Sequence, residues 1–300
     1  MTSTPSTGQV RSTRFSGSDP VTQPPSPPAS RIALLQMTSG IDPAANAATL
    51  VEAARRSAAE GAAMLFTPEM SGLIDRDRQR AAACVVDEAA DPVLAACREA
   101  AARSGIWVAL GSLAVRRDDG RYANRAFVID ASGAIRARYD KLHMFDVDLA
   151  SGESWRESNA YAPGGALGVV DGTPVGRLGL AICYDLRFPA LFDALGRRAC
   201  DVLAIPAAFT VPTGAAHWHL LQRARAVEAS AYVVAAAQVG HHADGRDTYG
   251  HSLVVDPWGE VVLDLGGETA GLGFADLDPA RIAEVRRQLP SLANRRDIPK

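Results

Sequence analysis

From residue 31 onward, short, wholly apolar runs alternate with Ala-rich segments, two of which open on Asp-Pro. This alternation constrains the fold more than any other feature of the 300-residue chain. The run 32–37 reads as a buried strand, because continuous apolarity over so few residues calls for cover on both faces. Asp42 and Pro43 then supply an N-cap and a first-turn proline for a helix that Gly61 stops. The cycle repeats with a strand at 62–66 that runs into Thr67, Pro68 and Glu69. A second helix opens at Asp91-Pro92 and closes at Gly105, and the next strand is 106–110. Residues 126–129 and 134–137 flank a turn as a hairpin. After a loop-rich stretch, 145–173, a strand at 178–182 ends at Cys183. A short helix, a strand at 202–205, a helix at 215–230 and a strand at 232–236 come next. The last hairpin pairs 251–255 with 260–264 across Asp256-Pro257-Trp258-Gly259. Such mixing predicts an α/β fold in which sheets are covered by helices.

No internal repeat or second boundary interrupts this pattern, so 31–300 is expected to be one domain. Residues 1–30 are rich in Ser, Thr, Pro and Gly and cannot bury enough apolar surface to offset their ordering entropy, which predicts a disordered tail. The tail holds Arg11 and Arg14 and is poor in acids, as transit peptides are, but it lacks their amphipathic apolar face.

Charge and cysteine usage exclude several classes. A formal net charge of -3 with no basic stripe gives no footprint for nucleic acid. No apolar run approaches the ~18 residues of a membrane span. Cys84, Cys97, Cys183 and Cys200 form no CxxC pair or finger-like spacing, so a reducing cytoplasm is expected. The histidines raise a metal reading through His217-Trp218-His219, His241-His242 and His251. However, residues two apart on a helix do not share a face, and no HExxH is present. Neither a metal nor a cofactor is expected.

Three residues with chemical potential each fall where an expected strand ends, the place where α/β enzymes gather ligands. Cys183 sits at the junction of an apolar strand, a polar turn and a helix, a geometry that exposes a nucleophile beside backbone N–H groups. A helix start also favours thiolate. The alternative, a buried structural thiol, suits the other three cysteines. Glu69 is a loop anion or a general base at a strand mouth. Lys141 is conspicuous because the chain has only two lysines, the other being Lys300, among 31 basic residues. Arginine replaces lysine wherever a solvated charge suffices, but not where a compact ammonium must enter a tight pocket. A Cys–His hydrolase with His143 as partner is the rival arrangement, and it leaves Glu69 and Lys141 without a role.

Glu69 in Phe66-Thr67-Pro68-Glu69, Lys141 in Tyr139-Asp140-Lys141-Leu142-His143 and Cys183 in Ile182-Cys183-Tyr184-Asp185-Leu186-Arg187-Phe188-Pro189 together resemble the nitrilase superfamily of carbon–nitrogen hydrolases, from about Arg31 to the C-terminus. The resemblance implies a four-layer α-β-β-α sandwich, usually assembled as a homodimer or higher homo-oligomer. It implies Glu69 as general base, Lys141 as oxyanion stabiliser and Cys183 as the nucleophile that forms a thioester. The Tyr184 amide would complete the oxyanion hole. Glu157, ahead of Pro163-Gly164, matches a supporting glutamate, with Glu153 the weaker candidate. Arg187 and His217 are expected at the substrate, Arg187 by pairing a carboxylate or else in a structural salt bridge.

The stretches around His217-Trp218, 222–228, 232–238 and 248–259 resemble the Nit branch. That implies a small carboxylate-bearing amide as substrate, deaminated glutathione first and α-ketoglutaramate as the ω-amidase alternative. N-carbamoyl amino acid hydrolysis and nitrile hydrolysis share the same three residues. An idle binding protein on this fold is the contrasting class, and the intact Glu, Lys and Cys argue against it. One departure stands out: the branch commonly has Glu after His-Trp, and here the residue is His219.

Overall fold

The computed structural model describes residues 28–148, 150, 152 and 154–296. Most of the expected 1–30 tail, and Glu153, lie outside the described residues. Within them the chain forms two six-stranded sheets, and each is covered on its outer face by helices.

The first half supplies β1 (Ser30–Gln36), α1 (Pro43–Ala59), β2 (Met64–Phe66), α2 (Arg78–Cys84), α3 (Pro92–Ser104), β3 (Trp107–Arg116), β4 (Tyr122–Ile129) and β5 (Ile135–Asp140). A small hairpin of β6 (Asp146–Asp148) and β7 (Ser154–Arg156) leads out of it. The second half supplies β8 (Gly168–Thr173), β9 (Gly176–Leu180), α4 (Pro189–Arg197), β10 (Val202–Ala204), α5 (Val211–Ala229) and β11 (Tyr232–Ala235). A second small hairpin, β12 (Val239–His241) with β13 (Asp247–Tyr249), precedes β14 (Leu253–Val255), β15 (Val261–Asp264), β16 (Gly271–Leu277) and α6 (Pro279–Gln288).

The strand orders are β16-β1-β2-β3-β4-β5 and β15-β14-β11-β10-β9-β8. In each sheet three parallel strands lie at the centre and antiparallel strands at the margins. β16 returns from late in the chain to close the first sheet against β1.

Alternation along β1 shows why its apolar run is continuous. Ile32 and Leu34 join the core that contains the second sheet, while Ala33 and Leu35 pack with Leu50, Ala54 and Leu94 from α1 and α3. Both faces are therefore dry, as a central strand covered on two sides must be. The helix punctuation behaves as the sequence dictates. Asp42 accepts from Ala44 N–H and Asp91 from Val93 and Leu94 N–H, and Gly105 closes α3 in the left-handed conformation at φ 65°.

Three expectations need correction. The stretch 145–173 is less loop-like than its composition implies, since β6, β7 and β8 all lie within it. The exposed, charged residues of β6 and β7 pair locally, without the apolar alternation that marks a strand. The strand before Cys183 ends at Leu180, two residues early, and a 3-10 turn begins at Cys183 itself. α5 starts at Val211, four residues before the expected 215, with Thr210 as N-cap residue and Pro212 in its first turn.

Candidate active site

Glu69, Lys141, Cys183 and Glu157 converge at one end of the two sheets. Each arrives from a short segment that has just left regular structure. Glu69 lies three residues beyond β2, and the next residue, Met70, has φ 54°. Lys141 comes directly after β5, and its own N–H donates to Asn124 O at 2.9 Å. Glu157 opens a single 3-10 turn, Glu157–Asn159. Cys183 opens another, Cys183–Arg187, in the left-handed conformation at φ 49°. That conformation costs a non-glycine residue about 1–2 kcal/mol, and the rigid sheets on either side hold it in place.

The polar contacts form a closed set. Lys141 Nζ donates to Glu69 Oε1 at 3.0 Å and to Glu157 Oε2 at 2.9 Å, with its side chain only 2% exposed. The other Glu69 oxygen, Oε2, accepts from Ala208 N–H at 2.9 Å. Glu157 is pinned from behind by Phe145 N–H at 2.7 Å. The Cys183 thiol lies beside Glu69, whose charge acts directly on it, and the Ala208 N–H adjoins both groups.

Electrostatics assign a protonation state to each group. Burial by itself would raise the Glu69 carboxyl. The Lys141 ammonium, with hydrogen bonds from Cys183, Lys141 and Asn124, outweighs burial and holds it below its ordinary value. Burial would likewise neutralise Lys141, but the charges of Glu157 and Glu69 push its pKa well above normal. Burial and then the Glu69 charge drive the Cys183 thiol well up, against the opposing pull of Lys141. The resting site thus holds carboxylate, ammonium and neutral thiol in contact. The expectation that a helix start favours thiolate fails here. Cys183 opens only a five-residue 3-10 turn, and burial together with the Glu69 charge outweighs Lys141.

The other expected residues lie close by. Tyr184 N–H stands ahead of the first bond of its turn, which runs from Asp185 N–H to Ile182 O, so the turn itself offers it no acceptor. Arg187 meets no carboxylate among the described residues. Its guanidinium lies over the rings of Tyr184 and Phe209, and its Nη1 is 3.2 Å from His217 Nδ1. The alternative role for it, a structural salt bridge, is therefore not realised. His143 does not serve as a partner for the thiol: its Nδ1 is 2.7 Å from Asp185 Oδ1 and its ring stacks on Phe188.

His217 and His219 diverge, as residues two apart on α5 must. His219 Nε2 and His251 Nδ1 both meet Asp264, at 2.8 and 3.0 Å, and the three lie within 4.8 Å of one another. These Asp–His hydrogen bonds account for that grouping. Through them His219 joins α5 to β15.

Two further residues hold the site together and escape sequence reasoning. Asn124, in the interior of β4, donates from Nδ2 to Glu69 Oε1 at 2.9 Å and to Glu157 Oε1 at 3.1 Å. Its signal is present in the sequence, since a buried Asn inside an apolar strand is disfavoured unless its amide is used. Asp185 is fully buried and accepts from Tyr139 Oη, His143 N–H and Ile182 N–H, which ties the Cys183 turn to the Lys141 segment. It lies inside the cysteine motif, but adjacency in sequence does not reveal which carboxylate faces inward.

A carboxylate held ionised beside a buried thiol and a fixed ammonium can support acyl transfer through sulfur, here on an α-β-β-α scaffold. Comparison with known proteins agrees with that class. The carbon–nitrogen hydrolase family matches residues 31–287. The deaminated glutathione amidase of Yersinia enterocolitica is 37% identical over 270 residues, covering 89% of this chain and 93% of its own. Nit3 of Saccharomyces cerevisiae, a member of branch 10 of the nitrilase superfamily, superposes with a TM-score of 0.80 at 27% identity, covering 91% of this chain and 98% of its own. An amidase from Nesterenkonia sp. AN1, solved with the acetamide moiety of fluoroacetamide on its active-site cysteine, gives a TM-score of 0.75 at 28% identity, with 91% and 97% coverage. The chain belongs to the carbon–nitrogen hydrolase family, within the nitrilase superfamily. It is an enzyme that hydrolyses carbon–nitrogen bonds of amides.

Proposed function

We propose that this enzyme cleaves a small, carboxylate-bearing linear amide through a thioester on Cys183, with deaminated glutathione as its substrate. The observation that carries the mechanism is the convergence of Glu69, Lys141 and Cys183, in which Lys141 Nζ donates to Glu69 Oε1 at 3.0 Å and burial with the Glu69 charge keeps the neighbouring thiol protonated. The base and its proton are already paired, so attack needs no prior ionisation. As Sγ bonds to the amide carbon, Glu69 takes the thiol proton and the carbonyl oxygen becomes an oxyanion. Lys141 Nζ and Tyr184 N–H receive that charge, each such donor being worth roughly 10²–10³ in rate. Glu69 then passes the proton to the departing nitrogen and the C–N bond breaks. A water, deprotonated by the same carboxylate, hydrolyses the thioester and restores the thiol. Glu157 and Asn124 keep Lys141 and Glu69 in register through both halves.

The substrate reading rests on the relatives' names and on Arg187, a cation one turn from Cys183 that has no carboxylate partner among the described residues. It suits the carboxylate of an α-keto acyl group, with His217 steadying its guanidinium. 2-Oxoglutarate release is common to deaminated glutathione and α-ketoglutaramate, so one assay compares them. Preference for deaminated glutathione, abolished by Cys183→Ala, is the expected result. Equal or better turnover of α-ketoglutaramate would reassign the enzyme as an ω-amidase.

Residues 31–300 are proposed to fold as one domain, and the core shared by the two sheets supports this. A homodimer is also proposed. Leu220 and Val227, seven residues apart on one face of α5, are exposed, and Arg223 Nε donates to Gly259 O at 2.7 Å, which brings the exposed Trp258 turn alongside. A cytoplasmic location fits four free cysteines. Among the described residues no helix is long and apolar enough to cross a membrane.

A further inference from the structure

The segments around the site carry a second cationic group that the catalytic machinery does not use. Arg76 and Arg246 both lie over the ring of Trp155, each with its guanidinium carbon 5.1 Å from the ring centroid. Like charges gathered on one ring repel, so neutralising acids are expected nearby. The acids at hand are already engaged, Asp77 among them at 4.0 Å from Arg80. Asp244 pairs with Arg246 at 2.8 Å, and Asp75 takes Nε and Nη2 of Arg80 at 2.6 and 2.7 Å. Arg76 has no hydrogen-bonded or ionic partner among the described residues. The Trp155 Nε1–H is buried and has no acceptor either. Two donors, the Arg76 guanidinium and the Trp155 indole N–H, are therefore left without an acceptor among the described residues.

Its position connects it to the chemistry. Trp155 lies in β7, two residues before Glu157, and Arg76 lies on the segment that leaves Glu69. The charge of Arg246 acts on the half-buried Tyr161 together with those of Glu157, Glu69 and Lys141. An aromatic row links Trp155 to the nucleophile. Trp155 and Phe145 are 6.3 Å apart between ring centroids, Phe145 and Tyr184 are 5.1 Å apart, and Tyr184 adjoins Cys183. Two extended residues span about 7 Å, longer than either ring-to-ring step, so a dipeptide-sized leaving group bonded at the scissile nitrogen extends along that row toward Trp155.

We infer that Arg76, Arg246 and Trp155 form a subsite for a second carboxylate of the substrate, carried on the amine side of the scissile amide. This rests on the amidase reading and sharpens it. Arg187 receives the acyl-side carboxylate and the Arg76 group receives the distal one. The enzyme thereby separates amides whose leaving group ends in a carboxylate from those that release only ammonia.

The test is steady-state kinetics of the full chain on deaminated glutathione, on the same compound with its terminal carboxylate capped as a primary amide, and on α-ketoglutaramate. The wild type is expected to favour the free acid over the capped form by about 10-fold or more, expressed in KM, as charge-assisted pairing predicts. Arg76→Gln is expected to erase that preference and Arg76→Lys to retain part of it. Arg76 is exposed, so folding is not at stake. A wild type that hydrolyses both forms equally, or an Arg76→Gln variant that keeps the full preference, overturns the subsite and leaves the thiol amidase standing. Failure to hydrolyse any of the three overturns the substrate assignment and the subsite with it.

Discussion

Lys141 shows how much one side chain can reveal. On a background where arginine has taken nearly every basic position, a single internal lysine signals a pocket that accepts only a compact ammonium, and the structure places it between two carboxylates with almost no exposure. A planar guanidinium has no room there. Lys141→Arg is expected to lower kcat by at least about 10²-fold; wild-type turnover in that variant would show that the site does not need a point-like charge. Removing the cation outright leaves the buried Glu69 and the half-buried Glu157 without their counter-charge, a cost of up to about 3–5 kcal/mol.

The same charges set the pH profile. Glu69 titrates below its ordinary 4.5, while Cys183 and Lys141 titrate above 9.0 and 10.5. The proton arrangement of the free enzyme is therefore constant between those limits, and kcat/KM should be flat across neutral pH, falling on the acid side only as Glu69 is protonated. The linked stability runs the same way. The depressed Glu69 contributes above its unfolded pKa and loses that contribution as pH falls through its folded value. An acid limb near the ordinary histidine range, about 6.5, would instead implicate a histidine. Glu69, Lys141 and Cys183 are legible in the sequence because each lies just past a strand. Asn124 and Asp185 are not, because their work is to face other side chains across the fold, and no local pattern encodes that.

At the scale of elements, strands buried on both faces and Asp-Pro helix starts are readable, since apolar periodicity and capping are local chemistry. The hairpins β6–β7 and β12–β13 are not, because they are short and polar and stand outside the two large sheets. Yet they carry Trp155 and flank Arg246, so the layer proposed to face substrate is the least legible part of the chain. The placement of Glu69 depends on one glycine in β3. A Cβ on Gly111 would collide with the carbonyl oxygens of Thr67 and Pro68, in the very turn that presents Glu69. Backbone atoms, unlike a flexible side-chain tip, cannot easily give way. Gly111→Ala should therefore reduce kcat and lower Tm together, as read by kinetics and thermal unfolding. An active, fully stable variant would mean the turn is free to move.

For the molecule as a whole, two similar sheets share one core and bring their strand ends to a common edge, and that arrangement allows groups far apart in sequence to meet. The exposed apolar face of α5 and the β14–β15 turn is the proposed seat of a second copy, with Leu220 67% and Trp258 47% exposed. Sedimentation velocity should report a dimer, and Leu220→Glu should shift it toward monomer. A monomeric wild type would exclude the assembly.

The whole mechanism turns on a bond between the amide carbon and Cys183 Sγ. Its most direct test is intact-protein and peptide mass spectrometry on enzyme acid-quenched during turnover of deaminated glutathione. An acyl adduct is expected on the peptide containing Cys183 and is expected to be absent in Cys183→Ala, which should also release no 2-oxoglutarate. Undiminished turnover in Cys183→Ala, with no adduct in the wild type, would contradict covalent catalysis by this thiol.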